Sequence, residues 1–144
     1  MDDSVAAVFS PSYKTRMSRP LILYRVSAGF PSPAEDYVEG RIDLNRDLIK
    51  HPIATFYIRV AGDSMTGAGI DAGDLLIVDR AVETCDGHIV VARINDELCV
   101  KTLCIEREGK IWLLSANDKY KPIEIEGHMD FEVWGRVMWS IKPH

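Results

Sequence analysis

The stretch Ile89-Val90-Val91-Ala92-Arg93-Ile94-Asn95-Asp96-Glu97-Leu98-Cys99-Val100-Lys101-Thr102-Leu103-Cys104 decides the fold class. Two runs rich in β-branched and apolar residues flank Asn95-Asp96, a turn-forming pair, so the stretch predicts two antiparallel strands joined by a tight hairpin. Working outward, Ala54–Val60, Leu75–Asp79, Ile111–Ser115 and Phe131–Trp139 are further short β-branched or aromatic runs. Asp71-Ala72-Gly73-Asp74, Cys85-Asp86-Gly87, Glu108-Gly109 and Glu126-Gly127 separate them as turns. There is no internal repeat and no heptad pattern. From Ala54 onward the chain is therefore expected to be mainly antiparallel β.

Before Ala54 the signals change. Residues 1–20 carry Ser, Pro, Arg and Lys without a clear period and are expected to form a flexible arm. Ser32-Pro33-Ala34-Glu35 has the form of a capping box with proline at the first helical position, which predicts a short helix ending near Gly40. A second short helix is expected over Leu44–Lys50, capped by Asp43 and stopped before Pro52.

Length and composition bound the function. The 144 residues suffice for one domain and a short tail, and 47% hydrophobic with 27% charged residues excludes global disorder. Seventeen basic against 22 acidic residues leave a net charge of −5, which argues against a general nucleic-acid or membrane-surface binder. The charge is uneven: residues 1–28 carry +2 and residues 29–144 carry −7. Leu21-Ile22-Leu23-Tyr24 is too short for a signal peptide, and no run approaches the roughly 18 apolar residues of a membrane span. Cys85, Cys99 and Cys104 are odd in number and contain no C-x-x-C pair. They predict neither a disulfide framework nor a zinc site, and point to a reducing cytoplasm.

Two features could carry chemistry. The first is Gly62-Asp63-Ser64-Met65-Thr66-Gly67-Ala68-Gly69, directly after the run Ala54–Val60. Glycines around a serine allow a sharp turn that presents the hydroxyl and gathers backbone N–H groups, as an oxyanion hole requires. The same residues also suit a plain turn whose serine bonds its own backbone. No G-K-[ST] follows, so this is not a phosphate loop, and Asp63, Asp71, Asp74 and Asp79 miss the calcium-loop spacing. The second feature is Lys101. Strand alternation puts it on one face with Cys99 and Leu103, while Leu98, Val100, Thr102 and Cys104 share the other. Both faces are mainly apolar, so Lys101 is either an edge charge reaching water or a desolvated amine.

The two features account for each other. A serine hydroxyl needs a neighbouring base to become a nucleophile. An ordinary lysine is neutral in about one molecule in 2,500 at pH 7, a shortage of roughly 4.6 kcal/mol that burial among apolar side chains reduces. Serine on a glycine turn with lysine on an apolar strand is the Ser–Lys variant of the nucleophile–base pair. The alternatives, a base among His51, His88, His128 and His144 or a nucleophile among the cysteines, have no distinctive sequence setting.

These motifs resemble the LexA-type family of self-cleaving Ser–Lys peptidases, on its SOS-mutagenesis side. The resemblance rests on Ala28-Gly29-Phe30-Pro31-Ser32-Pro33-Ala34-Glu35-Asp36-Tyr37-Val38-Glu39, Arg41-Ile42-Asp43-Leu44-Asn45, Gly62-Asp63-Ser64-Met65, Gly73-Asp74-Leu75-Leu76-Ile77-Val78-Asp79 and Val100-Lys101. It extends from about residue 21 to the end, and the intervals from 28 to 64 and from 64 to 101 also fit. The resemblance implies a LexA/signal-peptidase-like β fold, with residues 1–28 an arm removed by self-cleavage and residues 29–144 the peptidase domain. It implies Ser64 as nucleophile, Lys101 as general base, backbone amides of Asp63 and Ser64 as oxyanion hole, and Ala28-Gly29 as the bond cut, with no metal or cofactor.

The resemblance further implies a homodimer, stimulation by a RecA–single-stranded DNA filament, and a UmuC-type error-prone Y-family DNA polymerase as partner of the cut form. Replicative polymerase subunits are candidate partners of the uncut form; direct sequence-specific DNA binding and membrane association are not expected. Trp134 and Trp139 suit either a dimer contact or the core. Three rivals share features. A LexA-type repressor needs a helix-turn-helix domain that 28 residues cannot hold, and a signal peptidase needs a membrane anchor. A regulatory binding subunit that never cleaves is the rival from another class.

Overall fold

The computed structural model describes residues 5–11, 18–22 and 38–144. They fall into two compact units, one formed by residues up to 11 with 51–144, the other by residues 12–50.

In the smaller unit, β2 (Ser18–Ile22) pairs antiparallel with β3 (Val38–Asp43), and α1 (Leu44–Leu48) follows. Asp43 caps α1 as expected: its Oδ1 accepts from the Asn45 N–H at 3.1 Å, while its own N–H donates to Asp47 Oδ2 at 2.7 Å. The helix stops short of Pro52, which opens a 3-10 turn over Pro52–Ala54. One expectation is corrected. Residues 38–40, assigned to the end of a helix, lie in β3. Val38 and Ile42 favour strand and Gly40 disfavours helix, and pairing with β2 satisfies the backbone instead. The capping-box residues Ser32–Glu35 lie outside the described residues.

The larger unit is an eight-stranded antiparallel sheet. Its further strands are β1 (Val5–Phe9), β4 (Thr55–Val60), β5 (Leu75–Asp79), β6 (Ile89–Ile94), β7 (Glu97–Ile105), β8 (Ile111–Leu114), β9 (Ile123–Glu124) and β10 (Phe131–Ile141). The order across the sheet is β1-β4-β5-β10-β6-β7-β8-β9. β10 is central and pairs with β5 and β6, its register shifting between Val137 and Trp139 and between Val133 and Gly135. The β6–β7 hairpin forms as read, with Ile94 opposite Glu97 and Asn95 in left-handed backbone at φ 53°. Of residues 1–20, read from the sequence as a flexible arm, residues 18–20 belong to β2 and residues 5–9 form β1 against β4. Val5 packs on the core there, while Val8 and Phe9 stay exposed, so the strand carries little apolar period to read.

Strand alternation gives the sheet two apolar faces. Phe56, Ile58, Val60, Met65, Ile70, Leu76, Val78, Val91 and Val100 form one cluster. Val90, Ala92, Ile94, Cys99, Leu103 and Leu113 form the other. Leu76, Val78, Val90, Val91, Val100 and Leu113 are fully enclosed, which is why β5 and most of β6 read as continuous apolar runs rather than alternating ones. Trp134 packs edge-on against Phe56, ring centroids 5.8 Å apart, whereas Trp139 is 48% exposed. The two tryptophans thus divide between core and surface. Among the described residues, no helix is long and apolar enough to cross a membrane.

Candidate active site

The chain leaves β4 at Val60 and turns at residues 61–69, with a 3-10 segment over Thr66–Ala68. Met65 and Ile70 sink into the core and anchor the turn, leaving Ser64 between the buried Met65 and the half-exposed Asp63. Within the turn, Thr66 supplies the local hydroxyl bond: its Oγ1 donates to the Asp63 carbonyl at 3.1 Å. Ser64 does something else. Its Oγ accepts a hydrogen bond from Lys101 Nζ at 2.9 Å.

Lys101 comes from the middle of β7, opposite Val90 of β6 and on the face that also carries Cys99 and Leu103. It is 1% exposed and Ser64 is 2% exposed, so the pair is enclosed. Of the two readings left open for Lys101, the edge charge reaching water is excluded.

Four residues that the sequence did not single out, Ala116, Asn117, Lys119 and Tyr120, build the rest of the site. β8 ends at Leu114, and the chain continues past the serine turn. There the Ala116 N–H donates to the Ser64 carbonyl at 2.8 Å, and the Gly67 N–H donates to the Ala116 carbonyl at 2.7 Å. Asn117 Nδ2 donates to the Asp63 carbonyl at 2.8 Å. The Tyr120 hydroxyl donates to Asp63 Oδ1 at 2.5 Å, and Lys119 Nζ stands 3.7 Å from Asp63 Oδ2. These bonds hold the Asp63 carboxyl below the usual carboxylate range, Tyr120 contributing most, against a desolvation that raises it. Their only local signal is a polar Asn-Asp turn after a strand, and the contacts join residues about fifty positions apart.

The other sequence candidates have different partners. His51 Nδ1 lies 2.6 Å from Asp79 Oδ2, and His88 Nδ1 accepts from the Cys85 N–H at 3.0 Å. Cys99 is buried and Cys85 exposed, and neither they nor Cys104 form a disulfide. Asp71 and Asp74 both bind Lys142 Nζ at 2.6 Å. Among the described residues, no group of three or more His, Cys, Asp or Glu is gathered to hold a metal. Ala28 and Gly29 lie outside the described residues.

An antiparallel β body enclosing a serine–lysine pair is the framework of a serine-peptidase type. A family model described as Peptidase S24-like matches residues 20–138. Protein ImpA of Salmonella typhimurium is 42% identical over 128 residues, covering 89% of this chain and 88% of that one. Protein MucA of Escherichia coli is 37% identical over 139 residues, 95% of this chain and 94% of the relative. LexA repressor 1 of Pseudomonas putida is 45% identical over 106 residues, 73% of this chain and 51% of the repressor. The chain belongs to the peptidase S24-like family, as a UmuD-type protein of its LexA branch, among the SOS mutagenesis proteins of a self-cleaving family.

Proposed function

We propose that this protein is a slow self-cleaving peptidase that cuts its own Ala28-Gly29 bond. The observation that carries the proposal is the 2.9 Å hydrogen bond between the buried Lys101 Nζ and Ser64 Oγ. Neutral Lys101 takes the proton from Ser64 Oγ as that oxygen attacks the Ala28 carbonyl carbon. Backbone N–H groups of Asp63 and Ser64 receive the oxyanion, and the resulting ammonium passes its proton to the Gly29 nitrogen as the bond breaks. Water, deprotonated by the same amine, then hydrolyses the Ser64 ester.

The substrate is a segment of the same chain, so tethering replaces a binding step. A RecA–single-stranded DNA filament accelerates the reaction by favouring the conformation in which the bond reaches Ser64, a population shift. The product, residues 29–144, dimerises and serves a UmuC-type Y-family polymerase in translesion synthesis in the cytoplasm. The exposed Trp139 and Ile141 on β10 and the net −7 charge of this segment support a body that meets proteins rather than DNA. The uncut form engages replicative polymerase subunits.

The test is the intact mass of the protein after incubation at pH 10, beside a Ser64→Ala control. Two fragments meeting between Ala28 and Gly29, absent from the control, are expected. A chain that stays whole both at pH 10 and with RecA filament would establish the non-cleaving regulatory subunit instead.

A further inference from the structure

Tyr120 touches both halves of the pair. Its hydroxyl bonds Asp63, the residue next to Ser64, at 2.5 Å. Its ring faces Lys101, with Nζ 5.8 Å from the ring centroid. Neither the phenol nor the ring has a part in the proton transfers described above. We infer that Tyr120 is a positioning residue that sets the serine turn against the lysine strand, its hydroxyl holding Asp63 while its ring receives the Lys101 amine. This inference rests on the Ser64–Lys101 reading of the site.

The physical need is specific. Ser64 and Lys101 come from elements 37 residues apart, and proton transfer across 2.9 Å tolerates little displacement. The bonds within residues 63–70 fix the shape of the turn but not its distance from β7. The Asn117 and Ala116 bonds tie the turn to the segment after β8. Tyr120, from the same segment, adds a contact to the amine itself. The ring also discriminates between states. An aromatic face attracts a cation more than a neutral amine, and more strongly where water is excluded. When the serine proton moves to Lys101, charge appears beside that face, so the contact strengthens as the reaction proceeds. The Asp63 carboxyl, kept below its usual range chiefly by the phenol, is the reporter of the hydroxyl contact.

Two variants separate the roles. Tyr120→Phe keeps the ring and removes the bond to Asp63; Tyr120→Leu removes both. The readouts are the Asp63 carboxyl titration by carbon NMR in the uncleavable Ser64→Ala background, the self-cleavage rate at pH 10, and the melting temperature. Tyr120→Phe is expected to raise the Asp63 titration towards the ordinary value and to slow cleavage about tenfold, the scale of one hydrogen bond to a charged group. Tyr120→Leu is expected to slow it about a hundredfold, with the cation–ring contact also gone. Rates equal to the parent, or rates that recover fully when each protein is assayed equally far below its own melting temperature, would overturn the positioning role. An unmoved Asp63 titration would overturn the hydroxyl contact. If the parent chain never cuts, even with RecA filament, the Ser64–Lys101 reading fails and this one with it. A parent that cuts while both variants keep pace defeats this inference alone.

Discussion

The Gly67 N–H donates to the carbonyl oxygen of Ala116 at 2.7 Å, and a methyl group added at Gly67 would stand 2.4 Å from that same oxygen. With the Ala116 N–H bonded to the Ser64 carbonyl, residues 64–67 and 116 form a short backbone ladder that places the serine turn. Glycine at 67 is required by this close approach rather than by its own dihedral angles. Gly69 is the contrast: it sits at φ 78° with nothing within 4 Å of an added Cβ.

Gly67→Ala is therefore expected to lose about 1–3 kcal/mol and most of the self-cleavage, because backbone must shift at the nucleophile. Gly69→Ala is expected to cost about 1–2 kcal/mol of left-handed strain while the clash is absent. Urea unfolding and cleavage rates on the two variants check this. Equal cleavage by Gly67→Ala and the parent chain would show that the ladder does not place Ser64.

Lys101→Met should abolish cleavage without harming the fold. Lys101 is 1% exposed, and methionine fills a similar volume with no charge to bury. The expected result is a chain that never cuts and melts at or above the parent temperature. A stable Lys101→Met chain that still cuts would remove Lys101 from the mechanism.

Self-cleavage should accelerate with alkaline pH. The amine can accept the serine proton only when it carries no proton of its own, so the rate follows its neutral fraction until that saturates. The measurement is the first-order cleavage rate at intervals from pH 7 to pH 10, without RecA filament. A flat profile would sink the lysine-base assignment.

Much of this architecture was legible because it is local. The bounds of β5 and β6 follow directly from enclosed β-branched runs, and Asn95-Asp96 marks the hairpin because asparagine tolerates φ 53°. Asp43 was legible as a cap because its bond to the Asn45 N–H spans two residues. What stayed hidden depends on distant partners. β1 is a strand only because β4 offers it an edge, and residues 38–40 are strand rather than helix because β2 pairs with them. The proximity of Ser64 and Lys101 was legible from their unusual settings read together. Ala116, Asn117 and Tyr120 were not, since nothing local distinguishes their loop from any polar connection between strands.

The last relationship concerns stability and pH. Lys142, just beyond β10, bonds Asp71 and Asp74 at 2.6 Å each, and Asp74 also accepts from the Asp71 N–H at 2.9 Å. Burial pushes the Asp74 carboxyl up, but the Asp71 N–H and the Lys142 ammonium outweigh it and hold the group below the usual carboxylate range. Lys142 is raised by the same bonds. A carboxyl whose folded value is depressed contributes stability above its unfolded value, about pH 4, and loses it as pH falls through the folded value. A raised lysine contributes below its unfolded value and loses that as pH climbs through the folded one. Lys142→Met should therefore lower the melting temperature at pH 7, by less in high salt because the lysine is partly exposed. The difference from the parent should shrink towards both acid and strong alkali. A deficit of constant size from pH 3 to pH 11 would show that the charge of Lys142 does not carry its effect on stability.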